Sequence, residues 1–224
     1  MSAAMTSEVL VATREAWHRL AEHVLAPARY AMDGHISLQV APGGFGTPEV
    51  GTPATRVTVD GEHLVVVRDG REVRRVPRTL REAADLVGIE PGAPAGVYPP
   101  ATPCHPDEPL AVDPAAAREL ADWYRLGAQA LADLAPDEPA RLWPEHFDLG
   151  ISVDRVNYGV SPGDAAIGEP YAYAGPWDAL DDPDGFFDRS FGAARTRREL
   201  GSVADLAAFF RTARDHTARD PHRS

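Results

Sequence analysis

The stretch Leu142–Asp164, LWPEHFDLGISVDRVNYGVSPGD, holds most of the residues in this chain whose types and spacing suit chemistry. His146 and Asp148 stand two apart, the spacing that puts two side chains on one face of a strand as an acid–base pair or as two metal ligands. With one more histidine they would form the facial triad that holds non-haem iron. The candidate, His216, follows FFRTARD at the end of a helical pattern rather than on a strand returning to the sheet. Gly159-Val160-Ser161-Pro162-Gly163 matches the Gly-x-Ser-x-Gly string of a nucleophile elbow, which requires a strained serine leading directly into a helix. Pro162 biases Ser161 towards extended backbone, and SPGD reads as a type II turn with Pro162 and Gly163 at its centre. A turn is expected here, not a nucleophile.

These residues depend on a hairpin for their placement. Asp154 and Arg155 form a two-residue turn, and pairing outward sets Val153 opposite Val156, Ser152 opposite Asn157, Ile151 opposite Tyr158, Gly150 opposite Gly159 and Asp148 opposite Ser161. One face then carries Phe147, Leu149, Ile151, Val153, Val156, Tyr158 and Val160, an apolar set that belongs against a core. The other carries His146, Asp148, Gly150, Ser152, Asn157, Gly159 and Ser161. A polar outer face is the ordinary state of a half-exposed antiparallel sheet. Gly150 and Gly159 argue for more, because glycine weakens a strand unless something approaches its backbone closely. Nine of the 17 aromatics fall between Trp143 and Phe191, and Tyr171, Tyr173 and Trp177 stand where they can wall a pocket or fill a core. The candidate ligand-binding residues are therefore His146, Asp148, Ser152, Asn157, Ser161, Tyr171 and Tyr173. A non-catalytic protein that binds a small molecule or a protein partner is the favoured reading. The alternative is a metal-dependent or acid–base enzyme centred on His146 and Asp148.

Four other groups invite chemistry and read more simply as structure. His18 and Glu22, four apart on a helix flank, lack a third ligand and read as a solvated ion pair. The glycines of PGGFGTP would cradle phosphate only if a helix followed; a turn between strands is expected. Cys104 and His105 are neighbours in an extended segment, so their side chains diverge. DALDDPDGFFD fails as a calcium loop, because aligning Asp184-Gly185 with the fifth and sixth positions puts Leu180 first and Phe191 twelfth, where carboxylates are needed.

Composition narrows the classes. The formal charge is −12, which repels phosphate backbones and anionic lipid, so neither nucleic acid nor a membrane is an expected partner. All 22 basic residues are arginine, which removes Schiff-base, Ser-Lys and P-loop chemistry. Cys104 is the only cysteine, so no internal disulfide and no thiolate metal cluster is available. No cofactor is implied. The first 20 residues interrupt with charges the apolar core a signal peptide would need, and no 18-residue apolar run occurs; a cytoplasmic location fits.

The fold expected is α+β, with antiparallel meanders packed against amphipathic helices. Leu10, Trp17, Leu20, Ala21, Val24 and Leu25 make a helical stripe over residues 7–26. Two Asp-Gly turns in VTVDGEHLVVVRDGREVRRV predict a three-stranded meander with Val57, Val59, Leu64, Val66 and Val73 on one core face. Thr79 caps a short helix that stops at Gly88, and a connector over 91–109 with seven prolines forbids helix and ladder alike. Asp113 opens a helix over 114–134; strands follow at 146–153, 156–161 and 170–175, then a helix capped by Ser202. The chain reads as a single domain over 1–224, with halves at 7–90 and 110–218 joined by the connector and a frayed tail at 215–224.

At LAEHVLAPARYAMDGHISLQVAPGGFGTP, RLWPEHFDLGISVDRVNYGVSPGD and EPYAYAGPW the chain resembles a family of actinobacterial proteins over most of its length. That resemblance implies no activity and carries no catalytic residue onto this sequence.

Overall fold

A computed structural model describes residues 7–178 and 184–219. The fold is α+β, with helices and two five-stranded antiparallel sheets, β1-β2-β3-β4-β5 and β10-β9-β8-β7-β6. The chain divides into two compact units, one running to Asp122 and including Leu142–Phe147, the other comprising Trp123–Arg141 and the chain from Asp148. The division falls inside a helix rather than in the proline-rich connector.

The first unit begins with α1 (Ser7–Leu20), a π turn at Ala21–Leu25, and α2 (Ala26–Asp33). Expected to stop near residue 26, the helix continues because the π turn absorbs Pro27. Proline has no N–H for the His23 carbonyl four residues back, and its ring would crowd that carbonyl. In the wider turn the Ala26 amide bonds Ala21 O instead, and His23 O accepts the Gly92 amide at 3.0 Å. Strands β1 (Gln39–Ala41) and β2 (Gly44–Gly46) form a hairpin around Pro42-Gly43, so only the start of the glycine run is the expected turn, and Gly44 and Gly46 lie in β2, where a Cβ would strike the carbonyls of Val59 and Val57 on β3.

Strands β3 (Thr55–Asp60), β4 (His63–Arg68) and β5 (Arg71–Arg75) complete this sheet. The second turn is the expected Asp69-Gly70, both at positive φ. The first sits on Gly61-Glu62 rather than Asp60-Gly61, because Asp60 pairs with His63 and Gly61 supplies positive φ at the leading position of the turn. That displacement moves the register by two residues and so leaves every side chain on its expected face. Val57, Val59, Leu64 and Val66 are buried, whereas Val73, on the edge strand, is 41% exposed. Trp17, Phe45 and Phe147 pack edge to face behind the sheet. Helix α3 (Leu80–Val87) is capped by Thr79 and ends at Gly88, with Leu80, Ala83, Ala84 and Val87 buried.

Helix α4 (Pro114–Leu134) passes from the first unit into the second and precedes the short β6 (Arg141–Trp143). The second unit contains β7 (Asp148–Val153), β8 (Val156–Ser161), β9 (Tyr171–Pro176) and β10 (Ala193–Thr196). Asp154 and Arg155 both take positive φ, and the β7–β8 register is the expected one from Leu149↔Val160 to Val153↔Val156. Leu149, Ile151, Val156, Tyr158 and Val160 are buried on the apolar face. There Gly127 of α4 lies so close to Val160 that a methyl group would overlap it, and Tyr158 meets Phe210 of α5 (Val203–Ala218) edge to face. Capped by Ser202, α5 stays helical through Ala218 with Thr217 buried, past the point where fraying was expected. Among the described residues no helix is long and apolar enough to cross a membrane.

Candidate functional site

The pairing Asn157↔Gly175, Gly159↔Tyr173 and Ser161↔Tyr171 puts Asp148, Ser152, Asn157, Ser161, Tyr171 and Tyr173 on one face of the sheet, with Gly150 and Gly159 among them. His146 is the exception. Strand β7 starts only at Asp148, Phe147 takes positive φ (52°), and His146 lies exposed in the preceding turn. The two residues therefore do not share a strand face. The Phe147 side chain is buried as expected, but in the first unit, beside Phe45 and His18.

The approach that the glycine pair implied is made by the chain's own Tyr173. A Cβ at Gly159 would stand 2.5 Å from the Tyr173 hydroxyl oxygen, and one at Gly150 3.0 Å from it. The Tyr173 ring thus crosses the glycines, and its hydroxyl donates to Asp148 Oδ2. Two residues earlier on β9, the Tyr171 hydroxyl donates to Asp164 Oδ2 at 2.6 Å, while Asp164 Oδ1 accepts the Ala166 and Ile167 amides. Burial and then the neighbouring carboxylates push both phenols above their ordinary range, so they serve as held donors rather than bases. Ser161 is 3% exposed, and its Oγ accepts the Gly163 amide at 3.1 Å across a turn with Gly163 at φ 99°. No helix follows, so the elbow geometry is absent at this serine.

Towards the hairpin tip the same face is open. Trp177 is 57% exposed yet held: its indole N–H donates to Asn157 Oδ1 at 2.9 Å, and the Arg155 guanidinium lies 5.5 Å from the ring centroid. Arg155 is itself fixed by a two-pronged bond to Asp178, at 2.8 Å on each prong. Ser152 Oγ donates to the same Asn157 oxygen at 2.7 Å. An indole N–H can only donate, which settles the Asn157 amide with its oxygen towards Trp177. Its NH2 group is left without a partner among the described residues, beside an exposed aromatic ring.

The first unit holds a polar cluster that the sequence did not reveal. Glu22 and His23 occupy the π turn and are 0% and 1% exposed, so Glu22 is not half of a solvated pair with His18. The Glu22 carboxylate accepts the amides of Ala101 (2.7 Å) and Thr102 (2.8 Å) and the Thr102 hydroxyl (2.6 Å). With its proton committed to Glu22, Thr102 Oγ1 must accept from His23 Nε2 at 2.9 Å. Thr102 O, at 3.0 Å, is an acceptor too. The proton of His23 therefore sits on Nε2, and its buried Nδ1 has no partner among the described residues. Burial lowers the pKa of His23 and of His18, more than the Glu22 charge raises either. His18 donates to Pro144 O at 2.9 Å and stacks on Phe147. Burial, then Glu22, pushes the Cys104 thiol up, away from nucleophile chemistry. Every Glu22 oxygen is occupied, and the bonds lead to the connector, so this cluster is a latch on residues 98–102.

Among the described residues no three His, Cys, Asp or Glu side chains gather as a metal site. His216 stacks on Phe186 at 4.7 Å. Much of the acidic loop, including Leu180, lies outside the described residues; Phe186 packs against Phe209. No family model matches the chain, and no curated protein and no solved structure matches it.

Proposed function

We propose that this protein is a non-catalytic binder of a small molecule, which it takes on the polar face of the β7–β8–β9 sheet at the Trp177–Asn157–Ser152 end. The observation that carries this is the pre-set amide: the Trp177 indole orients Asn157 so that two donors stand free next to an aromatic ring that is itself fixed and exposed. A ring-bearing molecule with an acceptor at its edge would stack on the indole and accept from Asn157 Nδ2, at little ordering cost to the protein. The acid–base alternative has less support, since Asp148 already accepts from Tyr173 and His146 lies in a turn outside the strand.

The test uses Trp177 as its own reporter. Trp17 and Trp123 are fully buried and Trp143 is half-buried, so acrylamide quenching of the native protein reports mainly on Trp177. Panels of saccharides and nucleosides are titrated in turn. A binder should protect the indole from quenching in a saturable way, and Asn157→Ala should weaken that protection at least tenfold. Protection by no compound, or protection indifferent to Asn157→Ala, would refute the assignment.

A further inference from the structure

We infer that the free edge of β5 in the first unit docks an extended, acidic segment of a partner protein as a sixth strand. Three observations converge on this edge. The first is charge: residues 68–81 hold six arginines against Asp69 and Glu72, in a chain whose formal charge is −12. Arg74 is paired with Asp60 and Arg81 with Asp107, but the guanidinium groups of Arg71, Arg75 and Arg78 have no acidic partner among the described residues. The second is the backbone. All five residues of β5 are exposed and β5 is the last strand of its sheet. Arg68 and Arg71 flank a two-residue turn, so that pair and then Val66↔Val73 and Leu64↔Arg75 exchange the ladder bonds with β4. The amides of Glu72 and Arg74 consequently face outward, and the Glu72 N–H and C=O have no partner among the described residues.

The third observation is apolar surface. Val73 (41% exposed) and Val76 (49% exposed) are large hydrophobic residues left uncovered here. Val73 and Val66 also line a groove of about 550 Å³ with Leu86 of α3, whose remaining lining is Arg68, Asp69 and Arg71. Arg71, Val73 and Arg75 alternate onto one face of β5. A strand added at this edge would set one apolar side chain beside Val73 and acids opposite Arg71 and Arg75, the cross-strand pairs that contribute most. The expected motif is acid-x-apolar-x-acid. Arginines on an edge also discourage indiscriminate pairing, and here they would make the edge selective for acidic strands.

The experiment is fluorescence anisotropy of the full chain with a labelled peptide whose core is Glu-Thr-Val-Thr-Glu. Saturable binding is expected, weakened at least tenfold at roughly half-molar salt and at least tenfold by Arg71→Glu with Arg75→Glu. Glu72→Pro removes an outward donor while leaving the β4 ladder intact, and it should abolish binding with the circular dichroism unchanged. If that variant does not fold, the paired arginine reversals, which touch only exposed side chains, decide alone. The inference fails if the peptide does not saturate by about millimolar concentration, if a Lys-Thr-Val-Thr-Lys peptide binds as well, or if Glu72→Pro binds normally. It fails equally if an oligothymidylate outcompetes the peptide, or if the chain instead dimerises through this edge.

Discussion

Glu22→Ala isolates the latch that ties the proline-rich connector to the π turn. In the native protein three donors converge on this carboxylate, at 2.6 to 2.8 Å. Ala101 is exposed, so its amide can turn to water when the carboxylate goes. Thr102 is 7% exposed, and its amide and hydroxyl cannot. Two buried donors left bare cost about 1–3 kcal/mol each, and the lost methylene packing adds about 1 kcal/mol. Removing the buried carboxylate also removes its own desolvation cost, and that gain offsets part of the loss. The net loss expected is about 3–4 kcal/mol, a large share of a typical domain's stability. Urea unfolding measures it, and hydrogen exchange at the Thr102 amide locates it, because that amide's bond is to Glu22 alone. Thr102→Val should cost less, since His23 Nε2 keeps Thr102 O and Glu22 keeps two amides. A double-mutant cycle should show positive coupling between the two positions. If Glu22→Ala loses under about 1 kcal/mol, or leaves Thr102 exchange unchanged, the connector is held by something other than this latch.

Three further outcomes are expected. Gly159→Ala forces a methyl group against the Tyr173 hydroxyl and Leu149 O, and should lower stability by about 1–3 kcal/mol, whereas Gly168→Ala, with nothing within 4 Å, should be neutral; equal urea midpoints for the two would refute the packing account. His18 and His23 have folded pKa values below their unfolded value, so the unfolded chain binds more protons, and stability complete above about pH 6.5 should decline as pH falls below it. A urea midpoint constant between neutral pH and pH 5 would contradict that sign. A fluorophosphonate probe, which labels activated serines, should leave Ser161 unmodified; a stoichiometric adduct there would revive the hydrolase reading.

Local rules carried most of the second unit. The Asp154-Arg155 turn and strict alternation from Leu149 to Val160 place five pairs correctly, because a one-residue slip would have exposed the whole apolar face. What failed was information that is not local. His146 looks like the next alternating residue, but Phe147 is buried beside Phe45, over 100 positions earlier, and adopts positive φ there. Val73 alternates as a core residue should, yet among the described residues no element covers the edge strand that carries it. The helical stripe runs out at residue 26, before Pro27, yet the chain continues through a π turn whose freed His23 carbonyl takes the Gly92 amide of a distant loop. Glu22 and Thr102 are 80 positions apart, and no periodicity links a helix to an irregular proline-rich segment. The one cue was Pro27 four residues after His23, which leaves a carbonyl in need of a donor.

The glycine pair shows how a correct local inference can point to the wrong occupant. Gly150 and Gly159 do mark a close approach to the sheet, and a ligand was one candidate for it. Tyr173 fills that space instead and ties itself to Asp148, so the centre of the polar face is closed by the protein's own side chain. Closure there has a consequence at the tip. Tyr173, Gly175 and Trp177 alternate onto this face of β9 and its extension, with Gly175 opposite Asn157, so the open part of the face is the tip that Trp177 and Asn157 share. A Cβ at position 175 would meet the Phe191 carbonyl oxygen at 3.0 Å and no atom of Trp177 or Asn157 within 4 Å, so the bond at the tip rests on its own two partners. The Trp177–Asn157 contact orients the amide, and the amide's free donors are what a ligand would meet. Asn157→Asp keeps the oxygen that accepts from the indole and removes both free donors, and it should accordingly abolish ligand protection of Trp177 as fully as Asn157→Ala does, although the indole and its acceptor both remain. Unaltered protection in Asn157→Asp would show that the ligand does not meet these donors.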